Sequence, residues 1–160
     1  MGRHLEVKRD NPKGIEKLLE MAMNIANYET KVGWFDNAKE ENGQQTAYVA
    51  AVQEFGVPSK KIPPRLGFRE TCAKKRKAWR AFIQGAAGEV LEGRMNGEEA
   101  MEALGLKARG DLFRRLVSNP GPPLKEATLA ARRRKGRTHT ETLQDSGRMR
   151  ESLESRTDHI

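Results

Sequence analysis

Apolar residues recur along this chain at spacings that predict most of its elements. Ile15, Leu18, Leu19, Ala22, Ile25 and Ala26 return every third or fourth position, the stripe of an amphipathic helix over 12–27. Asn11 before Pro12 supplies a capping side chain followed by a proline suited to the first helical position. In TKVGWF, over 30–35, Val32 and Trp34 share one face of a predicted strand. Residues 36–45 are polar, with Asn42 and Gly43 as turn chemistry, and read as an exposed loop or a hairpin tip.

Tyr48, Val52 and Phe55 then form a short helical face that Gly56 stops. Pro58, Pro63 and Pro64 forbid helix over 57–65, so this stretch is expected to be a stiff, basic, extended loop. A long helix follows. Phe68, Cys72, Trp79, Phe82, Ile83, Ala86, Val90 and Leu91 make its apolar stripe, and Lys74, Lys75, Arg76, Lys77 and Arg80 fill the opposite face. Phe68 is expected to be buried where loop and helix meet. Gly85 and Gly88 cost a helix roughly 1 kcal/mol each relative to Ala, so they are expected to mark a close helix crossing.

Two short amphipathic helices are predicted next, over 98–106 and 107–118. Ala100, Met101 and Leu104 supply one stripe, Leu112, Phe113, Leu116 and Val117 the other, and Gly105 and Gly110 act as breaks. NPGPP at 119–123 is a firm stop. The tail then holds a helix-like stretch over 124–134, a basic run over 132–137, and a last short helix. Asp145 or Ser146 would cap that helix, which turns Met149 and Leu153 inward.

Composition narrows the function. The 160 residues suffice for one compact domain, yet apolar content is only 36% and charged content 32%, so part of the chain is expected to order only against partners. A net charge of +8 and a pI near 9.8 point to a polyanion, nucleic acid first, against the plainer reading of a soluble basic protein. Cys72 is the lone cysteine, which excludes an intrachain disulfide, and its stripe position makes it a core thiol. His4, His139 and His159 are scattered, and no HExxH, P-loop or GxSxG occurs, so an enzyme reading is poorly supported. Asp145, Ser146 and Gly147 lack an obvious base, and Glu40, Glu41, Glu54 and Glu70 lack metal-ligand spacing. Aromatics at 6% are too few for base-stacking platforms. With no apolar run of about eighteen residues and no secretory signal at the N-terminus, a soluble intracellular protein, or one assembled inside a cell, is expected.

Three ordered segments carry a resemblance. Tyr48-Val-Ala-Ala-Val-Gln-Glu54-Phe-Gly56 is similar to the Tyr-Ala…Glu-Phe-Gly segment of the tail-completion or head–tail joining proteins of long-tailed bacteriophages, a family related to the phage virion-morphogenesis proteins. Ile62-Pro-Pro-Arg-Leu-Gly-Phe68 resembles that family's Pro-x-Arg-Pro-Phe loop, with Leu66 and Gly67 where the family has proline. Pro122-Pro-Leu…Thr128 followed by Leu143-x-Asp145-Ser146-Gly147-x-Met149-x-x-Ser152 resembles its Pro-Pro-Leu…Thr…Leu-x-Asp-Thr-Gly-x-Leu-x-x-Ser pattern, with Ser146 for Thr and Met149 for Leu. The match runs from Tyr48 to Ser152.

Together with the periodicity, the resemblance implies an α+β subunit, mostly helical, with a long central helix packed on a small antiparallel sheet and extended basic terminal arms. Residues 1–10 would be the N-terminal arm, 11–121 the core, and 122–160 a basic segment packing on the core or on neighbouring subunits. It implies a homo-oligomeric, hexameric ring at the virion neck, assembled in the host cytoplasm, with no catalytic residue and no cofactor. The ring would meet a tail terminator or tail tube protein and a head-completion or adaptor protein. Double-stranded DNA would pass through its lumen.

In such a ring Phe55, Val57, Pro58, Ile62, Pro63, Pro64 and Arg65 become interface residues, since prolines remove loop entropy before docking. Lys60, Lys61, Arg132, Arg133, Arg134, Lys135 and Arg137 become candidates for the DNA channel, where contact is electrostatic and blind to sequence. The alternative reading is a free, sequence-independent nucleic-acid-binding accessory protein.

Overall fold

The computed structural model describes residues 12–118 and 121–160, apart from the side chains at 12, 13, 17, 18 and 21. The arm expected over 1–10, the Asn11 cap, the Leu18 side chain, and Asn119 and Pro120 of the stop lie outside the described residues. Helix α1 (Pro12–Ala26) leads into strand β1 (Tyr28–Gly33). Helix α2 (Thr46–Phe55), a single 3-10 turn (Pro58–Lys60) and helices α3 (Phe68–Leu91) and α4 (Gly97–Val117) follow. Helices α5 (Glu126–Arg134) and α6 (Arg148–Glu151) and strand β2 (Glu154–His159) complete the chain. The class is α+β and mostly helical, as expected.

The sheet joins the two ends of the described chain. β1 pairs antiparallel with β2, from Tyr28 opposite His159 to Gly33 opposite Glu154. No strand was expected at 154–159, where ESRTDH carries no large apolar residue. Ser155 and Thr157 nonetheless alternate with charged Glu154, Arg156 and Asp158, the period of a strand whose small side chains lie toward a helix. Residues 36–45 are a loop closed by a lone bridge between Lys39 and Gln45, with no part in the sheet.

The helix that lies on this sheet is α4, one continuous helix where two short ones were expected. Gly105 does not break it. A Cβ at Gly105 would collide with Thr30 Oγ1 and sit 3.2 Å from Ser155 Cβ, so the missing side chain lets α4 approach both strands. Asn96 starts α4 with a capping box: its Oδ1 accepts from the Glu99 N–H at 2.9 Å, and Glu99 Oε2 accepts from the Asn96 N–H at 2.8 Å. Helix α3 packs on α4, locked by Trp79 Nε1 donating to the buried Asp111 Oδ2 at 2.8 Å. Among the described residues the close crossing expected at Gly85 and Gly88 is not found: a Cβ at either would meet nothing within 4 Å.

The main core gathers Ala50, Leu66, Leu112, Leu116, Met149 and Leu153, flanked by Val32, Trp34, Phe68 and Cys72. Phe68 is half-buried, not fully buried, and its ring lies 6.0 Å from that of Trp34. A smaller cluster of Ala86, Val90 and Ala100 takes Ile25 from α1. The tail is part of this core. Leu153 is 0% exposed, Trp34 Nε1 donates to the Met149 carbonyl at 2.7 Å, and Arg109 Nε donates to the Leu153 carbonyl at 2.8 Å. The segment from 122 therefore packs on the core, and a core drawn at 11–121 leaves out residues that close it.

Candidate functional site

The three sequence segments named above meet in space. Helix α2 ends at Gly56, whose φ of 70° and whose crowding, with an added Cβ only 2.7 Å from the Ile62 carbonyl oxygen, both demand glycine. Glu54, the penultimate residue of α2, reaches across to the start of α3. Its Oε2 accepts from the Phe68 N–H at 2.7 Å, and its Oε1 accepts from the Arg69 N–H at 3.2 Å and from Arg69 Nε at 2.9 Å. Glu54 thus caps a helix fourteen residues away and satisfies donors that helix geometry leaves free. Burial opposes ionisation of Glu54, yet Arg69 and the two backbone donors hold its carboxyl below the ordinary glutamate range.

Between these helices the loop folds over itself. The Val57 and Ile62 backbones pair as a bridge, and Lys61 takes a left-handed φ of 54°. Ile62 and Pro63 are half-buried, while Lys60 and Lys61 stand exposed on the rim of a groove of about 480 Å³. Val49, Ile62, Leu124, Leu143 and Met149 line the groove, and Lys60, Lys61, Arg65 and Lys125 border it with positive charge. Pro122 and Pro123 form part of its wall, where Arg65 Nη2 donates to the Pro123 carbonyl at 3.5 Å.

The remaining wall is residues 143–149. Gly147 has a φ of 82° and precedes α6. Ser146 Oγ accepts from the Arg148 N–H at 3.3 Å and donates to Glu40 Oε2 at 3.1 Å. Neither capping candidate occupies the N-cap, which is Gly147; Ser146 meets the first helical N–H from one position earlier. Asp145 instead faces Arg132, 3.2 Å away, and Arg137, 2.6 Å away. Ser152 Oγ donates back to the Arg148 carbonyl at 2.6 Å and closes α6.

The arginine run does not form one DNA-facing strip. Arg132 is buried and donates to the carbonyls of His139 at 3.1 Å and Glu141 at 2.8 Å, pinning the turn after α5. Arg137 is paired with Glu41 and Asp145; burial disfavours its charge, but these carboxylates raise its pKa. Arg133 pairs with Glu126. Arg134 and Lys135 remain exposed. Arg132 and Arg137 are thus engaged by groups of the single chain itself, unlike the exposed Arg134 and Lys135.

Other expected residues divide as follows. Phe55 and Pro58 are exposed, as are Tyr48 and Pro64. Arg69 stacks its guanidinium 4.5 Å over the Phe55 ring. Cys72 is half-buried beside the main core, where burial raises its thiol pKa. Residues that sequence reasoning missed are Glu40 and Glu41, whose partners lie about a hundred positions away; only the excess of tail arginines hinted that acids would be found for them. Among the described residues no group of three potential metal ligands converges. The chain matches no protein-family model, no curated protein and no solved structure.

Proposed function

We propose that this chain is a structural subunit of the neck of a long-tailed bacteriophage, a tail-completion or head–tail joining protein. Six copies would close into a ring around the DNA channel, between a tail terminator or tube protein and a head-completion protein. The observation that carries this reading is apolar surface left open in the single chain. On α1, Ile15, Leu19 and Met23 are 46%, 58% and 62% exposed, and Phe55 at the end of α2 is 61% exposed. A contiguous apolar helix face in water is costly, and identical neighbours would cover it in a closed assembly. The convergence of the three resembling segments on one groove supports the same reading, since residues far apart in sequence serve one surface. The groove, stiffened by prolines and bordered by Lys60, Lys61 and Arg65, is suited to a segment of an adjoining neck protein.

Sedimentation velocity of the purified chain tests the proposal. Self-association to a defined ring, lost in the Leu19→Glu/Met23→Glu variant with its helical content intact, is the expected result. A chain that stays monomeric at every concentration and beside other neck components refutes it.

A further inference from the structure

Positions 73–88 of α3 contain no acidic residue, and the exposed side of that stretch carries Arg76, Lys77 and Arg80. Their neighbours are neutralised. Lys74 bonds Glu70 at 2.5 Å, Lys75 lies 3.5 Å from Asp111, and Arg69 is held by Glu54 at 2.9 Å. Arg76, Lys77 and Arg80 have no hydrogen-bond or ion-pair partner among the described residues. Arg80 is one turn from both other cations, a spacing at which like charges repel and weaken a helix by roughly 0.2–0.5 kcal/mol per pair. Among the described residues no acid compensates that repulsion. The surrounding surface is low: Ala73, Ala81 and Gln84 are exposed, and a Cβ at Gly85 or Gly88 would meet open space.

We infer that the outer face of α3, through Arg76, Lys77 and Arg80, is a sequence-independent contact surface for the phosphate backbone of duplex DNA. The inference rests on the neck reading for a duplex that passes the subunit; its location rests on the structure, and it moves the DNA contact away from the tail arginines. The chemistry of the face selects the partner. A membrane-surface helix needs large apolar residues beside its cations, and here only alanine, glycine and glutamine intervene. Single strands need aromatic platforms, but Trp79 and Phe82 turn toward the protein and are half-buried. Protein interfaces centre on exposed aromatic or large apolar anchors, and this face presents none beside its cations. Evenly placed cations on a smooth rod suit a polyanion whose charge repeats regularly and which must be able to slide.

Equilibrium binding of the full chain to a mixed-sequence duplex, across a salt series, tests this. Three phosphate contacts predict about a 40-fold loss of affinity between about 50 and 200 mM salt. The Arg76→Gln/Lys77→Gln/Arg80→Gln variant should lose nearly all of that dependence, and Arg76→Lys/Arg80→Lys should keep it. Arg133→Gln/Arg134→Gln/Lys135→Gln should also keep it. An unchanged salt slope in the α3 variant overturns the inference, as does polyaspartate or an anionic vesicle binding as tightly as the duplex. Loss of the inference in a protein that still forms rings leaves the neck reading standing; duplex binding through α3 by a chain that never associates removes the neck reading alone.

Discussion

Glu54 and Phe68 are joined by a 2.7 Å bond from the Phe68 backbone N–H to Glu54 Oε2, which fixes the start of α3 to the end of α2. The loop between them is held at both ends by one side chain. The Glu54 side chain is only 9% exposed and carries its charge at the positive end of a helix. Glu54→Gln should therefore destabilise the fold by about 1–2 kcal/mol at neutral pH, read from the shift in a denaturant midpoint. The sign of its pH dependence follows from its lowered pKa. The stabilisation is complete above the ordinary glutamate pKa and is lost as pH falls through the lower, folded-state value. The gap between wild type and variant should close in acid, below about pH 4.

Arg132 and Arg133 are adjacent in sequence and should differ sharply in cost. Arg132→Ala leaves two carbonyls without their donor inside the tail, for a loss of about 2–3 kcal/mol. Arg133→Ala removes only an exposed pair with Glu126 and should fall within about 0.5 kcal/mol of wild type. Chemical denaturation of the two variants checks the contrast, and equal effects would contradict the buried role of Arg132.

Glycines within the two long helices should respond with opposite signs. Gly105→Ala forces a methyl against Thr30 and Ser155 and should cost about 1–2 kcal/mol despite better helix propensity. Gly85→Ala meets open space and should stabilise the isolated chain by about 0.5–1 kcal/mol. Thermal melts of both variants decide the point.

Removing 154–160 deletes the partner of β1 and uncovers one side of α4. The truncated chain should lose cooperative unfolding, seen as a broadened calorimetric transition. A sharp transition at the original temperature would show that the tail strand contributes nothing to the core.

Much of this was legible in the sequence, because its signals are local. Gly56 and three prolines bound the loop, and the stripe from Phe68 to Leu91 gives α3 its length. Met149 and Leu153 turn inward as their spacing suggests. The sheet partner was hidden because strand pairing is a long-range choice, and ESRTDH faces its helix with Ser155 and Thr157, too polar to register as buried. Gly105 read as a break because propensity ignores what the helix touches. Arg132 read as a surface charge because its carbonyl and carboxylate partners become neighbours only after the tail turns. In the groove, the loop and the DSG turn were each visible as motifs, but their juxtaposition depends on α5 and on Glu40 meeting Ser146.

The most direct test is the density of the neck in an intact phage particle carrying this protein. The proposal predicts a ring of copies of this fold at the head–tail junction, with α3 turned toward the duplex and α1 covered by the adjoining copy. Particles whose neck contains no copy of the chain, or one that contacts neither its neighbours nor the flanking proteins, would contradict it.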